Sequence, residues 1–447
     1  MTMKKLFFSA LLAFLCSGVS AQLISTGLLD VMKNRGESDY GWNMNSISLY
    51  DDTLFASTMY GIYYKDLKSD GHWSPLGNIS LAVDDLVKNG DHIVAVARLS
   101  EDASESKRRD AAQALILSDD NGKTYEVDSL KEFSEGFYSY RITSLTQNPS
   151  RKEQLFLISE ILEDNRYRNL GLFISNDNGK RWLEVSKENG ASLPPIALDE
   201  DPSHVGCVGR VYMNPHDADM GFIVGMEAHW EGIKGALLQT NDCFAVVDKI
   251  TELDGADVHD NAPQSILFNK ENKNIMLMSV ENGILKSADG GNNWTFKLKV
   301  EGRKENEFFT NIVYDKDIPN VVYALSIAHP FASFEKKKIF HIYVSDDDGE
   351  TWNLACTING HSVNYYYTTR YSTWMHLNLL VPYTNKLFIC CDDDVFYLDT
   401  TDIQTGISSV SSEGNIGDGF IYDLQGRRLS AEPSHGIYIK DGKKIAR

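Results

Sequence analysis

The sequence predicts an all-β fold in which seven sheets of about four strands each close into a ring. Three observations lead to this prediction: a short turn motif that recurs five times, apolar strand segments that repeat every ~35–50 residues, and a change to small polar residues after about residue 400. Units of this length and strand content are typical of the blades of a β-propeller. The C-terminal residues are predicted to form a small additional β module.

The recurrent turn has the pattern Ser-x-Asp-x-Gly-x-x-aromatic. In a tight hairpin the Asp carboxylate accepts backbone N–H bonds, the Gly supplies a positive φ, and the aromatic residue covers the apolar layer between sheets. A degenerate copy, Thr240–Phe244, keeps the hydroxyl and the carboxylate but lacks the glycine and the final aromatic residue. We expect a structural role and no catalysis from the motif. The intact copies place the pattern at Ser118, Asp120, Gly122 and Tyr125, at Ser175, Asp177, Gly179 and Trp182, at Ser287, Asp289, Gly291 and Trp294, and at Ser345, Asp347, Gly349 and Trp352.

This motif resembles the Asp-box, or BNR repeat, of sialidases, sortilin-like receptors, xyloglucanase-type hydrolases and photosystem II assembly factors. The resemblance covers about residues 40–400 at the level of the motif. It implies a β-propeller whose boxes lie on the rim, away from the face that binds ligands.

Residues 263–298 show one repeat unit clearly, with strands predicted at 265–268, 275–278 and 283–286 before the box. Similar units span about 80–128, 140–187, 207–250 and 310–356. A front unit at 46–76 carries a distorted box, Ser69–Trp73, and a back unit at 374–399 has predicted strands at 376–379, 386–389 and 395–398. These seven units assign the propeller to residues 22–400.

Both ends of the chain have a different character. Residues 1–21 resemble a secretory signal peptide, with Lys4 and Lys5, an apolar run and a small-x-small cleavage site; a lipid anchor on Cys16 is the alternative. Residues 401–419 are a predicted linker, and residues 420–447 resemble the C-terminal sorting modules of type IX secretion substrates, or form a small appendage that is never cleaved. The protein is therefore expected outside the cytoplasm, in the envelope or the extracellular space.

Charge and cysteine content limit the function classes. The net charge of −20 argues against nucleic acid as a partner, and no later apolar stretch has the ~20 residues of a membrane span. Beyond the leader the cysteines are Cys207, Cys243, Cys356, Cys390 and Cys391, whose pairing the sequence leaves open. Cys390 and Cys391 are expected to point to opposite faces of a strand, with one thiol buried and one outward. We expect no cofactor and no metal site, because isolated loop histidines are more often hydrogen-bonded scaffolding.

The loops opposite the boxes are the expected ligand site. Aromatic faces stack on sugar rings, and nearby polar groups bind sugar hydroxyls, so these loops suit a glycan; the alternative is that about half of the aromatics pack between sheets. The candidate ligand residues are Trp230, His259, His329, Phe331, Tyr366, Arg370, Tyr371 and Trp374.

Enzyme signatures are weak. Tyr140–Thr143 is the one echo of a sialidase arginine motif, and the xyloglucanase carboxylate of the first blade is absent from Thr58–Ile62. A carboxylate pair could still hydrolyse a glycoside at a separation of ~5–9.5 Å; the candidates are Asp257 or Asp260 with Glu227 or Glu231. The sequence favours a secreted, non-catalytic recognition or scaffold propeller for a glycan or an envelope or extracellular protein, with a glycoside hydrolase and a protein-assembly factor as alternatives. It leaves the oligomeric state open.

Overall fold

The structure is a computed structural model that describes twelve segments of the main body and four short C-terminal strands. The main-body segments are residues 23–37, 44–69, 71–99, 113–128, 139–163, 166–185, 206–229, 232–258, 261–300, 307–328, 339–363 and 378–403.

Seven antiparallel four-stranded sheets form a β-propeller, as the sequence predicts. Within each blade the first strand lies innermost and successive strands pair outward. Blade 1 contains β2 Met44–Tyr50, β3 Thr53–Thr58, β4 Gly61–Asp66 and β5 Ser74–Pro75. Blade 2 contains β6 Ala82–Asn89, β7 His92–Arg98, β8 Gln113–Ser118 and β9 Glu126–Asp128. Blade 3 contains β10 Ser139–Gln147, β11 Leu155–Glu163, β12 Arg166–Ser175 and β13 Leu183–Glu184. Blade 4 contains β14 Gly206–Asn214, β15 Asp217–His229, β16 Gly232–Thr240 and β17 Asp248–Ile250. Blade 5 contains β20 Pro263–Phe268, β21 Met276–Val280, β22 Gly283–Ser287 and β23 Thr295–Lys299. Blade 6 contains β24 Glu307–Tyr314, β25 Val322–Ala328, β26 Ile339–Ser345 and β27 Asn353–Asn359. A small hairpin, β18 Glu252–Leu253 with β19 Ala256–Asp257, joins blades 4 and 5.

Blade 7 closes the ring with a strand from the other end of the chain. Its sheet contains β28 Leu380–Tyr383, β29 Lys386–Cys390 and β30 Val395–Asp399, and its outer strand is β1 Ile24–Ser25. Helix α1, Leu28–Asn34, follows β1 and buries Leu28 and Met32 in the apolar cluster shared by blades 6, 7 and 1. A single helical turn, α2 Thr400–Ile403, ends the body. Neither the closing strand nor α1 is predicted by the sequence pattern.

Two local predictions need correction, and a third gains a contact that the sequence did not predict. The first strand of blade 7 is Leu380–Tyr383, later than the predicted 376–379, although Leu379 O already accepts the Cys390 N–H of β29 at 2.9 Å; residues 376–377 lie outside the described residues. Trp73 of the distorted box donates from Nε1 to Thr26 Oγ1, 3.0 Å away, and so contacts the closing segment. Cys390 and Cys391 are both fully buried, since Cys391 lies beyond the strand and folds back so that its N–H bonds to Asp394 O.

The boxes join each blade to the one before it. In blade 5, Gly291 has φ 89°, and a Cβ there would lie 2.5 Å from the ring of Phe222 in blade 4. Phe222 in turn packs edge-to-face on Trp294, with ring centroids 6.3 Å apart. Because the glycine admits this close contact, the box hairpin and the apolar layer between the blades form together.

A separate compact unit contains the C-terminal sheet. Its strands are β31 Ile421–Tyr422, β32 Arg428–Leu429, β33 Ile437–Lys440 and β34 Lys443–Ala446, paired antiparallel in the order β32-β31-β33-β34. Its role in sorting stays a prediction, and the leader and most of the linker lie outside the described residues. Among the described residues, no helix has the length and apolar content needed to cross a membrane.

Candidate functional site

The box carboxylates are occupied by their own turns. Asp347 Oδ1 accepts from Ser345 Oγ at 2.8 Å and from the Thr351 N–H at 2.8 Å, and Oδ2 accepts from Thr351 Oγ1 at 2.6 Å. Asp289 is held in the same way, and the hydrogen bond from Asn293 lowers the pKa of its carboxyl. Hydrogen bonds within the turn hold such a carboxylate in place and stabilise its ionised form, so it is poorly suited to exchange protons with a substrate.

The degenerate box keeps the same backbone bonds. Thr240 Oγ1 accepts from the Phe244 N–H at 2.9 Å, and Asp242 Oδ1 accepts from the Val246 N–H at 2.9 Å. Phe244 stands at the glycine position with φ 69°, and its buried ring packs edge-to-face on Phe156 of blade 3, with centroids 5.6 Å apart. The aromatic contact is therefore made from a different position of the turn.

All described boxes connect the third and fourth strands of their blades, so the loops between second and third strands open on the opposite side, here called the open face. Most of the predicted site lies in loops outside the described residues: Trp230, His259, His329, Phe331, Tyr366, Arg370, Tyr371, Trp374, Asp260 and Glu231. Glu227 lies in β15 with its backbone described, opposite Cys207 and Lys234. Asp257 is exposed at the end of β19, opposite Glu252.

A group of polar side chains surrounds the carboxylate of Glu307 in blade 6, on the open face. Glu307, the first residue of β24, accepts hydrogen bonds from Tyr343 OH at 2.8 and 3.0 Å and from Ser326 Oγ at 3.0 Å. His341 Nε2 lies 4.0 Å from Glu307 Oε1, and its Nδ1 lies 2.9 Å from Thr357 Oγ1. Burial lowers the pKa of His341, so the imidazole is neutral near pH 7. We call these four side chains, Glu307, Ser326, His341 and Tyr343, the Glu307 cluster.

A second acidic group lies in the turn between β29 and β30. Asp392 accepts a short hydrogen bond from Ser362 Oγ, and burial raises the pKa of its carboxyl to about 7. The neighbouring Asp393 is 44 % exposed and lies 3.3 Å from His361 Nδ1. The third carboxylate, Asp394, accepts from Ser25 Oγ and from the Leu29 N–H, so it holds β1 and the start of α1.

A third group, in blade 2, is a satisfied ion pair. Asp84 is buried and accepts from Arg98 Nε at 3.0 and 2.9 Å and from Gln113 Nε2 at 3.0 Å. Gln113 Oε1 also accepts the Ile142 N–H of blade 3 at 2.7 Å. This group connects two blades and has little capacity left for a ligand.

Sequence reasoning overlooked these clusters, although signals were present. Glu307 precedes an apolar inner strand, and Asp392–Asp394 is a run of three carboxylates in a turn that faces the ligand side. The partners of Glu307 come from two other strands, β25 and β26, and could not be paired from the sequence alone. Among the described residues, no group of three or more His, Cys, Asp or Glu side chains is arranged to hold a metal ion.

Comparison with known proteins supports the motif and the fold. The BNR/Asp-box repeat profile matches residues 343–354, which contain the turn from Ser345 to Trp352. No curated protein matches the sequence.

Several solved structures are similar to this chain at low identity. A GH74 xyloglucanase from Xanthomonas campestris is 14 % identical with a TM-score of 0.50, over 81 % of this chain and 52 % of that one. An ancestral GH74 enzyme is 12 % identical with a TM-score of 0.40, over 90 % and 55 %. Virginiamycin B lyase from Staphylococcus aureus is 10 % identical with a TM-score of 0.42, over 85 % and 98 %. The chain spans about half the length of the two GH74 enzymes, and the likeness concerns the fold alone.

Proposed function

We propose that this protein is an exported recognition propeller that binds a glycan on the open face without cleaving it. The observation that carries the proposal is the Glu307 cluster at the open end of blade 6, in which two hydroxyls hold a carboxylate and an imidazole held by Thr357 lies 4.0 Å from it. Export is inferred from the resemblance of residues 1–21 to a signal peptide.

The cluster suits a hydroxyl-rich ligand. A carboxylate has about four acceptor sites. The one O–H hydrogen of Tyr343, which both Glu307 oxygens share, and the O–H of Ser326 occupy about two of them, so about two sites are left for ligand hydroxyls. Because protein hydroxyls already fix the orientation of Glu307, binding costs little side-chain entropy. The same bonds make Glu307 a poor nucleophile or base, which favours binding over cleavage.

The test is a panel of plant, microbial and host glycans incubated with the purified protein, reading retained glycans and released products by mass spectrometry. We expect one glycan class to be retained and no sugar to be released. Glu307→Gln should weaken retention roughly 10-fold, the effect of one charge-assisted hydrogen bond. Glu126→Gln, at an exposed site on the outer strand β9, is the matched control and should bind like the wild type. Equal binding by both variants would refute the assignment to Glu307.

A glycoside hydrolase is the second candidate, and the Asp392–Asp393 turn is the observation that favours it. One carboxyl is buried with its pKa raised to about 7, and its neighbour is 44 % exposed beside His361. Two carboxyl groups with such different environments are the usual basis for dividing acid and base roles. Sugar release that is lost in both Asp392→Asn and Asp393→Asn would replace the recognition proposal with this one. Neither retention nor release would favour a protein partner, as in an assembly factor.

A further inference from the structure

Six of the seven inner strands carry a polar residue at the same level of the ring. In blade 2, Asp85 pairs with Val96, which lies three residues after the residue that pairs with Ser118 of the box. In blade 4, Arg210 pairs with Val224, which again lies three residues after the residue that pairs with Thr240 of the degenerate box. We call this set the axial ring: Ser46, Asp85, Ser144, Arg210, Ser265 and Asn311.

In blades 1 to 3, the side chains of the layer directly before the axial ring bond to protein groups. The ladder shifts register there in five blades, which marks β-bulges. Asn45 Nδ2 donates to Val83 O at 2.7 Å, and Thr143 Oγ1 donates to Gly209 O at 3.0 Å. The bulged side chains therefore join neighbouring blades by direct hydrogen bonds.

In blades 2 and 3 the axial ring differs from this layer. Asp85 Oδ2 and Ser144 Oγ have no hydrogen-bond partner among the described residues, although both residues are 2 % exposed. Arg210 Nη1 of blade 4 lies 3.7 Å from Asp85 Oδ2 of blade 2, close enough for ionic attraction but beyond a hydrogen bond. The pair spans blade 3, whose Ser144 belongs to the same ring.

A buried oxygen without a donor is unfavourable, and buried polar groups without protein partners are commonly bridged by ordered water. We propose that the axis of the propeller is a binding site for an ordered water that bridges Asp85, Ser144 and Arg210. The water accepts from Arg210, donates to Asp85 and exchanges a hydrogen bond with Ser144. In this way it ties blades 2, 3 and 4 together at one point.

The charges select a small neutral ligand with both donors and acceptors. Arg210 repels a cation, and Asp85 repels an anion. Tyr50 OH donates to Leu86 O and Tyr212 OH donates to Gln264 O, both at 3.2 Å, so the adjacent hydroxyls already have acceptors. The bridged ring then forms the floor beneath the bulge layer, and a ligand that enters from the open face stops above it.

A high-resolution crystal structure of the full chain tests the site directly. We expect an ordered water within hydrogen-bond distance of both Asp85 Oδ2 and Ser144 Oγ. Ser144→Ala should weaken or remove its density, whereas Ser265→Ala should leave it, because Ser265 Oγ already bonds Ser279 Oγ at 2.7 Å. Direct hydrogen bonding of Arg210 to Asp85 Oδ2 with no water between them would overturn the proposal, and the wild-type structure decides this even if a variant fails to fold.

Discussion

At the scale of single residues, the contact between blades depends on what occupies the glycine position of each box. Gly291 lets Phe222 approach from the preceding blade, whereas Phe244 reaches into the preceding blade itself. The loss of glycine at 244 is visible in the sequence. Its consequence is not, because the direction of a side chain at positive φ matters only once the neighbouring blade is in place.

Replacing Phe244 by Gly should destabilise the protein by roughly 2–4 kcal/mol. The loss of a buried Phe costs about 3–5 kcal/mol, and the relief of a left-handed backbone returns about 1 kcal/mol. Urea unfolding measures the difference, with Val246→Gly, at an exposed site in the same turn, as the control. A Phe244→Gly protein as stable as the wild type would show that the ring contributes nothing to the interface.

Asp85 should give the free energy of unfolding a distinct pH dependence. Burial raises its pKa to about 6 from an ordinary value of 3.8, so its stabilising contribution is present below pH 3.8 and is lost as the pH rises through 6. The loss amounts to about 3 kcal/mol, at 1.4 kcal/mol for each pKa unit.

The measurement compares wild type with Asp85→Asn by urea unfolding between pH 4 and 7. Other carboxyl groups titrate in both proteins and cancel, so the wild type should lose stability relative to the variant as the pH rises. A stability difference that is constant over this range would contradict the assignment.

At the scale of elements, ring closure depends on a very short strand. β1 has two residues, and its contacts are reinforced by the hydrogen bond from Ser25 to Asp394, 369 residues later. Asp394 also accepts the Leu29 N–H at 3.2 Å, which provides the N-terminal cap that Gly27 lacks. One carboxylate therefore holds both the closing strand and the helix.

Asp394→Ala should weaken the closing segment by about 1–3 kcal/mol, because it removes a helix cap and the carboxylate that accepts the hydrogen bond from Ser25. Hydrogen exchange should accelerate in residues 24–34 and stay unchanged in blade 5. Lys33→Ala, at an exposed site on the same helix, is the control. Equal exchange in the two variants would argue against Asp394 as the anchor of the closure.

The sequence was informative about the blades because each is a local unit of alternating strands and turns. Ser287–Trp294 and Ser345–Trp352, for example, mark the turn between the third and fourth strands directly. Closure and site were harder to predict. Ile24 and Ser25 show no strand signal of their own, and the Glu307 cluster combines residues from three strands whose registers are set only by pairing.

At the scale of the whole molecule, the polar groups on the two sides of the ring have different roles. The boxes use their carboxylates within their own turns, whereas the open face presents the Glu307 cluster and the Asp392–Asp394 turn. A propeller of this kind is a rigid platform, and loop residues on one side determine what it binds.

Hydrogen exchange of the protein, measured with and without the glycan that it retains most strongly, tests recognition on the open face most directly. Glycan binding at the open face should slow exchange in residues 307–328 and 378–399 and leave the box turns at 118–125, 287–294 and 345–352 unchanged. Protection confined to the box turns would contradict it and place recognition on the opposite side of the ring.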